Sequence, residues 1–131
     1  MRRQFSLPES DVKFLEQSNC QWEAIRDLNC LWVLIHGFAV PAGYNYQQVT
    51  VAVMIPDSYP DTSLDMVYFS PDLIRLDGRA IRAIHQQTID GKSFQRWSRH
   101  YTAENPWRPG VDDLSFHLTL VSYWLERELE K

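Results

Sequence analysis

The chain has 131 residues, 44% of them hydrophobic and 23% charged, which suits one domain, residues 1–131, around a single core. Its net charge is −4 and its longest basic run is Arg2-Arg3, which argues against nucleic acid, whose phosphates are bound by clustered Lys and Arg. No apolar run or leader suggests a membrane span or signal peptide, and neither Cys20 nor Cys30 lies in a CxxC or His/Cys cluster; a cytoplasmic protein without membrane contact, metal, cofactor or disulfide is expected.

In chain order, Pro8 to Gln17 reads as a helix. Pro8 suits a first turn, Glu9 and Asp11 oppose the positive end of the helix dipole, and Val12, Phe14 and Leu15 form a short apolar face. Such a helix is too short to stand alone and must dock on a sheet. Trp22 to Asp27 alternates as a first strand, and Asn29 marks a turn. Cys30 to Val40 is apolar on both faces, which predicts a central strand covered on both sides. Pro41-Ala42-Gly43 turns the chain into a third strand, Val49 to Ile55.

Ile55-Pro56 and Tyr59-Pro60 then break the chain before a fourth strand, Leu64 to Phe69, and Ser70-Pro71-Asp72 ends that strand, because proline lacks the amide that would continue a ladder. From Gly78 to Pro109 no period holds, and the stretch reads as a long loop. Within it lies a compact aromatic and basic cluster, Phe94 to Tyr101, followed by Asn105-Pro106-Trp107-Arg108-Pro109-Gly110. The last element is a helix with Asp112 and Asp113 in its first turn, Leu114, Leu118, Val121, Leu125 and Leu129 on one face, and a charged end from Glu126 that frays into solvent. The predicted fold is α+β: an N-terminal helix, a four-stranded antiparallel meander, a long loop and a C-terminal helix.

This order, together with Ile55-Pro56, Tyr59-Pro60, Ser70-Pro71-Asp72, Gly78 and Trp107-Arg108-Pro109, resembles the ubiquitin-conjugating enzymes. Pro41-Ala42-Gly43-Tyr44-Asn45, Leu64-Asp65-Met66, Asp77-Gly78 and Trp97-Ser98-Arg99-His100 make the chain similar to a divergent prokaryotic branch of that superfamily, family E. The resemblance implies the ubiquitin-conjugating fold. It also implies the partners of a bacterial conjugation system: a ubiquitin-like protein, a ThiF-type activating enzyme and a JAB-type deubiquitinase.

The chain departs from the family where chemistry is expected. The position of the family's acyl-carrying cysteine falls on Ala80 or Ile81, and its His-Pro-Asn is Ser70-Pro71-Asp72. An ionised Asp72 repels an oxyanion, so it takes the asparagine's role only when protonated. Two readings follow. In the first, the chain is a transferase of non-standard chemistry: Ser98 is activated by His100, with Arg99 binding a carboxylate or oxyanion and His85 a second acid/base. On an extended segment Ser98 and His100 point the same way. In the second, the chain is an inactive adaptor between a ubiquitin-like protein and its activating enzyme. The candidate binding residues are Trp97, Tyr59, Trp107, Arg79 and Arg82, with Tyr59 and Trp107 also reading as loop scaffold. His36 reads as a hydrogen-bonded strand histidine, and Arg75, Arg79 and Arg82 as a basic patch.

Overall fold

A computed structural model describes residues 1–131. Helix α1, Glu9–Gln17, leads into strands β1 (Gln21–Asp27), β2 (Cys30–Ala39), β3 (Gln48–Ile55), β4 (Val67–Ser70), β5 (Ile84–Ile89) and β6 (Lys92–Trp97), and helix α2, Leu114–Leu129, closes the chain. The α+β class and both helices agree with the sequence reading. The sheet has six antiparallel strands instead of four, in the order β1-β2-β3-β4-β6-β5.

The two additional strands come from the stretch that reads as a loop. They form a hairpin around Asp90-Gly91, with φ of 55° and 73°. An Asp-Gly pair with both residues at positive φ is what a tight two-residue hairpin turn requires. The hairpin then inserts β6 against β4, so that Val67 faces Trp97 and Phe69 faces Gln95.

Each face of the sheet carries a buried cluster, covered by different means. On one face α1 and α2 cover a cluster of 21 buried side chains that includes Leu15, Val33, Val51, Phe69, Trp97 and Leu125. On the other face a smaller cluster of seven, among them Ile25, Trp32, Tyr68 and Phe94, is enclosed by the sheet's own curl. The curl brings the hairpin turn onto the first strand: the Asp90 N–H donates to Asp27 at 3.1 Å, and Arg2 makes a two-pronged ion pair with Asp90 at 2.9 and 2.6 Å. β2 is buried on both faces only from Trp32 to Ile35; its first two residues and the stretch from His36 to Ala39 are partly or fully exposed.

The termini are tied as well. Residues 2–4 run parallel to β1, with the Gln4 N–H donating to the Ala24 carbonyl at 2.7 Å and the Ala24 N–H to the Arg2 carbonyl at 3.0 Å. In α1, Asp11 is buried and not spent on the dipole. Its carboxylate accepts the Tyr59 hydroxyl at 2.6 Å and the Leu114 N–H at 3.3 Å, tying α1 to the Tyr-Pro turn and to α2. Asp113 caps α2 by accepting the Phe116 N–H at 3.0 Å. The far end of α2 does not fray, because Glu128 is only 1% exposed. No helix is long and apolar enough to cross a membrane.

Candidate functional site

Two segments converge on the C-terminal end of α2: the stretch after β4, residues 71–83, and the stretch after β6, residues 98–113. The first returns across the helix-covered face. Leu73 buries itself there, and its backbone is gripped by Gln95, whose Oε1 accepts the Leu73 N–H at 3.1 Å while its Nε2 donates to the Leu73 carbonyl at 3.0 Å. Arg75 follows, its guanidinium almost wholly buried. It donates to the Glu128 carbonyl at 2.7 Å and to the carbonyls of Leu129 and Lys131 at 3.3 Å, and it pairs with Asp77 at 2.6 Å. A cation on the last carbonyls of a helix satisfies acceptors that have no intrahelical donor and opposes the negative end of the dipole.

Glu128 joins this segment to the second. Its carboxylate accepts Arg99 at 3.0 Å and lies 3.8 Å from Arg75. Arg99 also lies over the Trp97 ring, 4.9 Å from its centroid. Two guanidiniums around one buried carboxylate balance charge in a dry place, which is what allows Glu128 to be buried at all.

The candidate catalytic residues disperse. The Ser98 N–H donates to the Ala83 carbonyl at 3.0 Å, which sets Ser98 beside the loop that holds Ala80. The Arg99 N–H returns to the Trp97 carbonyl at 3.0 Å, so the chain bends tightly at Ser98. The extended geometry that would align Ser98 with His100 is absent. His100 turns instead to Asp65, with Nδ1 2.9 Å from Oδ1 and 3.0 Å from Oδ2. A carboxylate only accepts, so Nδ1 carries a proton, and the exposed ring lines a groove of about 590 Å³ with Phe116, Leu120, Tyr123 and Trp124. Asp72 lies elsewhere: its carboxylate accepts Gln86 Nε2 at 2.8 Å and its carbonyl accepts Asn45 Nδ2 at 3.2 Å. His85 is exposed on β5, opposite Arg96.

The candidate binding residues divide in the same way. Trp97, read as a partner contact, is a core side chain with no exposed surface, and its indole N–H donates to Gln95 at 2.9 Å. Tyr59 is half-buried on Asp11, and Trp107 donates to the Pro60 carbonyl at 3.0 Å. Arg79 donates to the Lys131 carbonyl at 2.9 Å, while Arg82 is exposed. Both arginines line a cavity of about 290 Å³ with Ala80 and Glu128. Ala80 is exposed and Ile81 packs on the core, so no thiol occupies this loop; Cys20 lies at the end of α1 and Cys30 at the β1–β2 turn.

Three features escape sequence reasoning: the Asp65 partner of His100, the Glu128 hub and a buried Tyr101–His117 pair. His117 has no exposed surface. Its Nε2–H donates to the Met66 carbonyl at 2.9 Å and its Nδ1 accepts the Tyr101 hydroxyl at 2.8 Å, a tautomer dictated by the carbonyl, which only accepts. Burial pushes its pKa down to about 4 and raises that of Tyr101. Tyr101 stands edge-on to Trp107, 5.4 Å between centroids, and this aromatic column pins the second segment to α2. No local signal in the sequence pairs Asp65 with His100, 35 residues away. Neither a curated protein nor a solved structure matches the chain. The family described as prokaryotic E2 family E matches it over residues 7–128.

Proposed function

The chain belongs to prokaryotic E2 family E, and from that premise we propose that it acts in a ubiquitin-like conjugation system without carrying the acyl group on a cysteine of its own. It binds a ubiquitin-like protein and its ThiF-type activating enzyme, and it presents His100 as the base for the incoming amine. The observation that supports this reading is the His100–Asp65 pair. The carboxylate fixes Nδ1 as an N–H, which leaves Nε2 as the basic nitrogen of the neutral ring, and the exposed imidazole lines an open groove beside α2.

The step is a proton transfer joined to acyl transfer. An amine attacks the carbonyl of an acyl group held as a thioester or adenylate on the activating enzyme. His100 takes the amine proton and gives it to the departing group, and an amide forms. Ser98, beside Ala83, is the hydroxyl of the cluster nearest the family's cysteine position. It serves as the oxyester carrier if the acyl group passes through this chain. The exposed Arg82 and the groove-lining Arg79 supply positive charge for an acidic partner surface.

The test is intact-mass and conjugation analysis of the chain with its activating enzyme, the ubiquitin-like protein and ATP. Variants are Cys20→Ser/Cys30→Ser, Ser98→Ala, His100→Ala and Asp65→Asn. The proposal expects undiminished conjugation without the cysteines and a loss on the order of 10²-fold or more with His100→Ala. A cysteine adduct, or full activity in His100→Ala, overturns it. Ala80 and Ile81 at the cysteine position favour a second reading, the adaptor. That reading predicts no covalent adduct and conjugation indifferent to His100 but dependent on Arg79 and Arg82.

A further inference from the structure

The sheet face away from the helices carries a second titratable cluster, independent of the site above. His36 Nδ1 lies 3.0 Å from Thr50 Oγ1, and His36 Nε2 lies 2.8 Å from Glu23 Oε2. The other oxygen of Glu23 accepts Arg2 at 2.8 Å, and Arg2 in turn is held by Asp90. Glu23, held ionised by Arg2 with a pKa lowered to about 2, only accepts, so Nε2 of His36 is the N–H. In the neutral ring Nδ1 is the acceptor and the Thr50 hydroxyl its donor.

Local backbone geometry places the histidine. β2 pairs regularly with β3 through Leu34–Ala52 and Ile35–Val51, and that register puts His36 across from Thr50 on the face that carries Trp32 and Leu34. The shift begins beyond it, at Gly37, whose φ is 70°. His36 is about 29% exposed, at the edge of a cavity of about 100 Å³. Leu34 and Phe94 wall the cavity on one side, and Ser70 and Lys92 line it with Thr50. The charged groups facing His36 are thus Glu23 from β1, Arg2 from the N-terminal segment, Asp90 from the hairpin turn and Lys92 from β6.

We infer that Thr50, His36 and Glu23 form a hydroxyl–imidazole–carboxylate relay that makes Thr50 a nucleophile toward a small activated acyl group. The arrangement has the parts such chemistry needs: a hydroxyl on a base, and a base oriented by a carboxylate. The cavity admits a group of acetyl size. Thr50 Oγ1 attacks the acyl carbonyl and its proton passes to His36 Nδ1. The carbonyl re-forms as the bond to the leaving phosphate or alcohol breaks, and His36 returns the proton to that group. The product is an ester on Thr50, released by water in the reverse sequence. Lys92 and Ser70 line the same cavity.

The experiment uses acetyl phosphate and p-nitrophenyl acetate with the full chain, followed by peptide mapping. The expected result is one acetyl group on Thr50, cleaved by hydroxylamine. Thr50→Val, which keeps the branched shape and removes the hydroxyl, abolishes it, and Thr50→Ser retains it. His36→Gln slows acetylation by about 10²–10⁴-fold, and Glu23→Gln slows it as well. An unmodified Thr50, acetylation confined to Lys92 or the N-terminus, or a rate on Thr50 indifferent to His36→Gln overturns the inference.

Discussion

The two segments that meet at the end of α2 are held by opposite means. Residues 71–83 are held largely by charge: Arg75 inside the helix C-terminus, Asp77 on Arg75, Arg79 on the last carbonyl. Residues 97–113 are held by aromatic packing: Trp97 in the core, Tyr101 on Trp107 and His117. Glu128 is common to both. In the second segment Trp97 is buried in the core and Arg99 is held on Glu128, while His100 beside them is exposed. A motif can therefore mark how a loop is anchored while only one of its residues is exposed to solvent.

The largest expected effect is the loss of the aromatic anchor. Trp97→Ala removes a fully buried indole and should cost about 4 kcal/mol in urea unfolding. Glu128→Gln should cost about 3 kcal/mol, because it leaves two guanidiniums facing an uncharged amide in a buried place. It should also loosen both segments together. Hydrogen exchange of the Leu76 amide, bonded to the Gly43 carbonyl at 2.9 Å, and of the Met66 amide, bonded to the Arg99 carbonyl at 3.0 Å, should rise in the same variant. Exchange that rises on one side alone would mean that the two segments are anchored separately.

Acid should act on the aromatic side. His117 in the folded chain titrates near 4, below the ~6.5 of an unfolded histidine. The unfolded state binds the proton first, so this contribution is complete above about pH 6.5 and is lost as pH falls towards 4. It amounts to roughly 3 kcal/mol across that window. Chemical melts at pH 7.5 and pH 4.5 on wild type and His117→Gln measure it: the variant should lose the histidine's share of the slope. The smallest effect is His100→Ala. Its ion pair with Asp65 is mostly exposed, so the change in stability should stay under about 1 kcal/mol while conjugation falls.

Much of the fold is legible in the sequence because its signals are periodic. The apolar face of α2, the doubly apolar β2 and the Pro-punctuated turns are each visible as spacing. The β5–β6 hairpin is not, for a physical reason. His85, Gln86 and Thr88 are exposed on an outer strand that needs no apolar face. In β6 the buried position between Phe94 and Trp97 includes Gln95, a polar side chain whose amide is spent inside the fold on Leu73 and Trp97. The Asp90-Gly91 pair was the one local signal for the hairpin. Glu128 read as solvent for the same reason as Gln95: a buried polar residue is disguised by its type, and only its partners, far along the chain, explain it. His100 stands out in the sequence, but its partner Asp65 does not, since 35 residues separate them.

The pairing of residues 2–4 along β1 gives the sheet two unlike rims. One rim is partly occupied by the chain itself, which takes the amides of Ala24 and Arg26. The other rim, β5, is open, but it is six residues long and mostly polar. A short, polar rim is a poor template for uncontrolled stacking. The chain can therefore remain dispersed at a modest net charge of −4, relying on the shape of its edges more than on mutual repulsion.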